Sequence, residues 1–106
     1  MVTYVYNIVN QAPLYSTTTS GANSYTIPSG VSLIYVMLGG GGASIDNLQN
    51  GGFTTSLIPV TAGEVLTINI GASGASSTLT FNGVQQLGAG YISGSSNGFC
   101  YIWQVS

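Results

Sequence analysis

Few side chains in this 106-residue chain can move a proton, attack a carbonyl or hold a metal. Histidine, lysine and arginine are absent, the only carboxylates are Asp46 and Glu64, and the only thiol is Cys100. General acid–base work needs a group that titrates near the working pH. The two acids fall in different turn-like segments, where Glu64 reads as the cap of a turn before a strand and Asp46 as a solvated loop residue. A nucleophilic cysteine needs a base beside it, usually histidine. Cys100 has none and lies between Phe99 and Tyr101, where it reads as a small hydrophobe inside a strand. The serines fail the same test, since the chain has no histidine to activate one. Gly39–Gly42 lacks the lysine of a phosphate loop and the helix that should follow it. Zinc wants cysteine and histidine, and one carboxylate makes a poor calcium site. The sequence predicts no enzyme, no metal and no cofactor.

Charge narrows the partners. Charged residues make up 2% of the chain, for a net charge of −2. Nucleic acid and anionic membranes are recognised through Lys and Arg, which the chain lacks. The longest apolar run, Leu33–Leu38, is one strand long, so no membrane insertion is expected. With no basic, apolar opening, no Sec signal peptide is expected either. A net charge this small offers little repulsion between copies, which suits a part built into an assembly.

Any functional side chain must therefore be placed by strands and turns. Helical periodicity with caps is missing, and Thr, Val, Ile, Tyr and Phe dominate the ordered-looking segments. Strands are expected at Val2–Val9, Ser24–Ile27, Val31–Leu38, Phe53–Val60, Glu64–Ile70, Ser77–Phe81, Val84–Leu87 and Phe99–Val105. Asn10–Ala22 reads as a polar loop. Val31–Leu38 and Phe99–Val105 are apolar on both faces, as in strands buried on two sides. Leu66, Ile68 and Ile70 alternate with Thr67 and Asn69, so that strand should bury one face only. Leu79 and Phe81 should point inward, and Pro59 suggests an edge strand or a strand exit. Pro28-Ser29-Gly30, Thr61-Ala62-Gly63 and Asn82-Gly83 are turn signals. The fold class that follows is all-β: a single β-sandwich, jelly-roll-like, with long glycine-rich loops at one end. Residues 1–23 read as an N-terminal strand and arm that could attach the domain, and residues 24–106 as the glycine-rich sandwich.

The long Gly/Ser-rich segments Gly39–Gly52 and Gly88–Gly98 have two compatible readings. Glycine permits tight reversals at a sandwich end. Loops at one end of a rigid scaffold are also where recognition usually sits. On the second reading Asn47, Gln49, Asn50, Tyr91, Ser93 and Asn97 are the ligand-binding candidates, with Tyr91 suited to stacking. Strand tyrosines such as Tyr4, Tyr6, Tyr25 and Tyr101 read instead as core or subunit interface.

From Tyr25 onward the order of motifs resembles the glycine-rich domain of phage tail-fibre and other virion surface proteins. The residues that carry the resemblance are Tyr25-Thr26-Ile27-Pro28-Ser29-Gly30-Val31, an apolar strand, then Gly39-Gly40-Gly41-Gly42 and Gly51-Gly52. They continue with Val60-Thr61-Ala62-Gly63-Glu64, Ile68-Asn69-Ile70-Gly71-Ala72, and Gly98 leading into Phe99–Trp103. The match spans about residues 24–105. The resemblance implies a β-sandwich on the virion exterior, often oligomeric and without catalytic activity. Expected partners are other virion proteins, copies of the chain, and a host surface glycan or protein. Two roles remain open: a fibre, spike or tip domain contacting host receptors through the glycine-rich loops, and a capsid decoration, cement or minor structural protein without receptor binding.

Overall fold

The structure is a computed structural model that describes residues 12–41, 52–72, 75–81, 84–90 and 97–105. Eight strands follow in order: β1 (Tyr15–Thr17), β2 (Gly21–Thr26), β3 (Leu33–Gly39), β4 (Phe53–Pro59), β5 (Val65–Ile70), β6 (Ser77–Phe81), β7 (Val84–Ala89) and β8 (Phe99–Gln104). They form two four-stranded antiparallel sheets, ordered β1-β8-β3-β4 and β2-β5-β6-β7. The fold is an all-β sandwich.

Alternation builds the core. Val36 and Leu38 of β3 lie opposite Ile102 and Cys100 of β8 in register, and these four and Ile34 are fully buried. Opposite them lie Leu66, Ile68 and Ile70 of β5, Leu79 of β6 and Leu87 of β7. Each of these side chains contributes roughly 1.5–3 kcal/mol by leaving water. Two contacts close the sides of the sandwich. The rings of Tyr15 and Tyr25 stack at 4.8 Å between β1 and β2. Thr54 Oγ1 of β4 donates to the Gly88 carbonyl of β7 at 2.8 Å. Among the described strands β4 ends its sheet, which puts Pro59 on an edge.

Turn chemistry fixes the end of the sandwich away from the long loops. The Val31 amide donates to the Pro28 carbonyl, and Gly30 takes φ 84°. The Glu64 amide donates to the Thr61 carbonyl, and Gly63 takes φ 91°. A positive φ in the third position of such a turn is what glycine supplies. The Glu64 carboxylate also accepts from the Thr61 amide, as expected of a turn cap.

Two expectations change. The segment Asn10–Ala22 is not all loop: β1 lies within it and β2 begins at Gly21, and both pair with strands of the sandwich. Its polar composition hid β1, which is held by backbone pairing with β8 and by Leu14 and Tyr15 against the core. The strand read at Val31–Leu38 is central but buried on one face only. Leu33, Tyr35 and Met37 face outward and stay half-buried, because among the described residues no second layer covers them. The same holds for Tyr101 and Trp103 of β8. The strand expected at Val2–Val9 lies outside the described residues.

Candidate binding site

Strand direction brings four connections to one end of the sandwich. β3 runs into that end and β4 leaves it, with Gly39 opposite Phe53. β5 and β7 run in, while β6 and β8 leave, with Ser77 opposite Ala89 and Phe99 opposite Gly39. β1 also ends there and β2 begins there, with Thr17 opposite Cys100 and Gly21 opposite Ile70. The connections 18–20, 40–52, 71–76 and 90–98 therefore share this end.

Their roots touch backbone to backbone. The Gly40 amide donates to the Gly52 carbonyl at 3.0 Å, Gly41 to Ala75 at 2.8 Å and Gly98 to Gly71 at 2.8 Å. A Cβ at Gly40 would lie 1.6 Å from the Gly90 carbonyl oxygen, and one at Gly41 1.8 Å from that of Ala72. Only chains without side chains can approach so closely. Gly39 makes room in another way: its face of the strand is filled by the Phe99 ring, which is 3% exposed.

One polar side chain ties this floor together. Ser77 is fully buried; its Oγ accepts from the Gly71 amide at 2.9 Å and donates to the Gly39 carbonyl at 2.8 Å. It thus joins β3 of one sheet to the end of β5 in the other. A Cβ at Gly98 would lie 2.6 Å from that same oxygen. Nothing in the sequence marks Ser77, because Ser76 beside it is of the same type and is exposed. Asn23 was likewise missed. Its Nδ2 donates to the Thr19 carbonyl at 2.9 Å and the Gly21 carbonyl at 3.1 Å, fastening the crossing from β1 to β2.

Of the candidate ligand-binding residues, Asn97 is described. It is exposed at this end, and its Nδ2 donates to the Thr18 carbonyl at 3.1 Å, which pins the start of β8 to the 18–20 connection. Asn47, Gln49, Asn50, Tyr91 and Ser93 lie outside the described residues, as does Asp46. What the described floor offers a ligand is backbone N–H and C=O groups, amide and hydroxyl side chains, and no formal charge.

Cys100 faces the opposite way, into the core. Burial pushes its thiol up to about 12 from an ordinary 9.0. The thiolate is the reactive form, so the native protein is expected to resist alkylation until it unfolds. Mass-spectrometric labelling with and without denaturant checks this, and rapid native labelling would contradict it. In the unfolded chain the thiol ionises near 9.0 while the native one holds its proton up to about 12. The native state therefore binds more protons across that window, and stability should fall as pH rises through it.

No protein-family model, curated protein or solved structure matches the chain.

Proposed function

We propose that the chain is a non-enzymatic recognition domain on a virion exterior, of fibre, spike or tip type, that contacts an uncharged host-surface group through loops 42–51 and 91–96. One observation carries the reading. The roots of both loops meet on a single floor of glycine backbone, tied by the Gly40–Gly52 and Gly98–Gly71 hydrogen bonds and by Ser77. Such a floor holds the loop bases rigidly and puts no side chains in a ligand's way. Loops on a fixed scaffold are the usual place for binding residues. The amides of Asn47, Gln49, Asn50 and Asn97 and the hydroxyl of Ser93 suit the hydroxyls of a glycan or the polar backbone of a protein, and the Tyr91 ring suits stacking. The order of glycine motifs from Tyr25 to Trp103 supplies the virion setting.

The test is a triple replacement, Asn47→Ala, Asn50→Ala and Tyr91→Ala. Adsorption of particles carrying the variant should fall at least tenfold, equivalent to about 1.4 kcal/mol or more of lost affinity. Circular dichroism and melting should stay at the parent values. Unchanged adsorption would sink the proposal.

The second reading, a decoration, cement or minor structural part, is favoured by a different feature, the apolar outer surface of the β1-β8-β3-β4 sheet. Electron cryomicroscopy of native particles separates the two roles: the glycine end points away from the particle in the first and is covered by coat subunits in the second.

A further inference from the structure

The two outer faces of the sandwich differ in kind. On the β2-β5-β6-β7 sheet the outward positions include Ala22, Ser24, Thr26, Thr67, Asn69, Thr78 and Thr80, a surface of mostly small polar groups, with Val65 and, at the start of the edge strand, Val84 as the exposed large apolar side chains. On the β1-β8-β3-β4 sheet they hold Tyr35 and Met37 of β3, Phe53 and Leu57 of β4, and Tyr101 and Trp103 of β8. These side chains adjoin one another. Tyr101 and Trp103 stack with ring centroids 5.7 Å apart, and Tyr35 meets Trp103 at 5.9 Å. Phe53 and Leu57 are each 38% exposed. β3 and β8 are apolar on both faces, as in strands of a layer that is covered on both sides; on the outer face Phe99, opposite Gly39 at the glycine end, is buried, whereas Tyr35, Met37, Tyr101 and Trp103 stay half-buried and Phe53 and Leu57 are exposed.

From this asymmetry we infer that the outer face of the β1-β8-β3-β4 sheet is a self-association surface, on which a second copy of the chain packs face to face. Charge selects the occupant. Specificity for a foreign protein is commonly set by complementary charges, and no residue of this face carries one. Two copies of the same neutral face meet with no like-charge repulsion and no buried charge to compensate. Size agrees. Four strands about 4.8 Å apart, with about six residues of about 3.3 Å each, give roughly 400 Å² in projection and roughly 600 Å² with side-chain relief. A symmetric pair then buries roughly 1,200 Å², which reaches the range of specific, stable interfaces. The contact is isologous, and Tyr hydroxyls supply the polar groups that aromatic interfaces use. This inference stands apart from whatever the glycine end binds.

Sedimentation of the full chain over a concentration series tests it. The parent should sediment as a dimer. Leu57→Glu should raise the dimer dissociation constant by roughly a hundredfold or more, because each copy then buries an uncompensated carboxylate. Thr67→Glu, on the polar sheet, should leave that constant unchanged. If Leu57→Glu fails to fold, Leu57→Gln reads the same equilibrium, with a rise of roughly tenfold. The inference is overturned if the parent is monomeric at every concentration, whether its own residues 1–11 or a different protein covers the face. It is overturned equally if Thr67→Glu dissociates the dimer as much as Leu57→Glu does. The loop variants Asn47→Ala, Asn50→Ala and Tyr91→Ala should not change sedimentation, so either proposal can fail without the other.

Discussion

Gly40→Ala is expected to cost about 3 kcal/mol or more, the upper part of the range for overpacked sites. The new methyl carbon would lie 1.6 Å from the Gly90 carbonyl oxygen and 2.5 Å from its carbon. These are backbone atoms, so no rotamer change relieves the clash, and the strands must separate. Separation would strain the Gly40–Gly52 hydrogen bond at the same place. A domain of this size has roughly 5–15 kcal/mol of stability in all, so the variant should melt far below the parent or fail to fold. Gly63→Ala is the contrast. There a Cβ meets nothing within 4 Å, and the penalty comes only from the positive φ of 91°. That variant should fold and lose about 1 kcal/mol. Thermal melts of the two, side by side, separate steric exclusion from backbone preference. Equal losses would contradict the packed-floor description.

Ser77→Ala is expected to cost about 2–5 kcal/mol, a large sum for one oxygen. The hydroxyl serves two buried backbone groups, the Gly71 amide and the Gly39 carbonyl. Each buried polar group left without a partner costs about 1–3 kcal/mol. Both sheets are involved, so the loss should appear as a lower denaturation midpoint with an unchanged slope. Ser76→Ala, one residue earlier and exposed, should change stability by less than about 0.5 kcal/mol. Matching midpoints for the two variants would remove Ser77 from its role as a tie between the sheets.

Much of this architecture was legible before any coordinates. The alternation of Leu66, Ile68 and Ile70 with Thr67 and Asn69 fixes which side of β5 is wet, because a one-residue slip would reverse every side chain. Pro28-Ser29-Gly30 and Thr61-Ala62-Gly63 announce their turns through the positive φ that glycine allows. Cys100 could be read as core because nothing in the chain can activate it. Other features had no local signal. β1 is three residues long, and Tyr15 acts through Tyr25, a partner in the opposite sheet. Ser77 matters only because the Gly39 and Gly71 backbones arrive beside it, a result of long-range strand order rather than of residue type. The apolar pattern of β3 and β8 was visible, but pattern alone does not tell whether the second layer comes from the same chain or from another. Of the candidate ligand contacts, Asn97 is placed, at the glycine end and bonded to Thr18.

The glycine floor has an evolutionary consequence. Gly40, Gly41, Gly52 and Gly98 bring the ends of the described connections together backbone to backbone, with Ser77 and Phe99 packed beside them. On the proposed recognition role, sequence variation is expected to concentrate in residues 42–51 and 91–96. Even doubling the length of one segment adds only about 0.6 kcal/mol of closure entropy. Mutational tolerance and structural strictness are thus expected side by side along the chain, the strict positions being the glycines whose Cβ would strike backbone. Under the proposed recognition role, a lineage carrying this domain would alter what it adheres to by exchanging cassettes between fixed glycines, while the sandwich beneath stays the same.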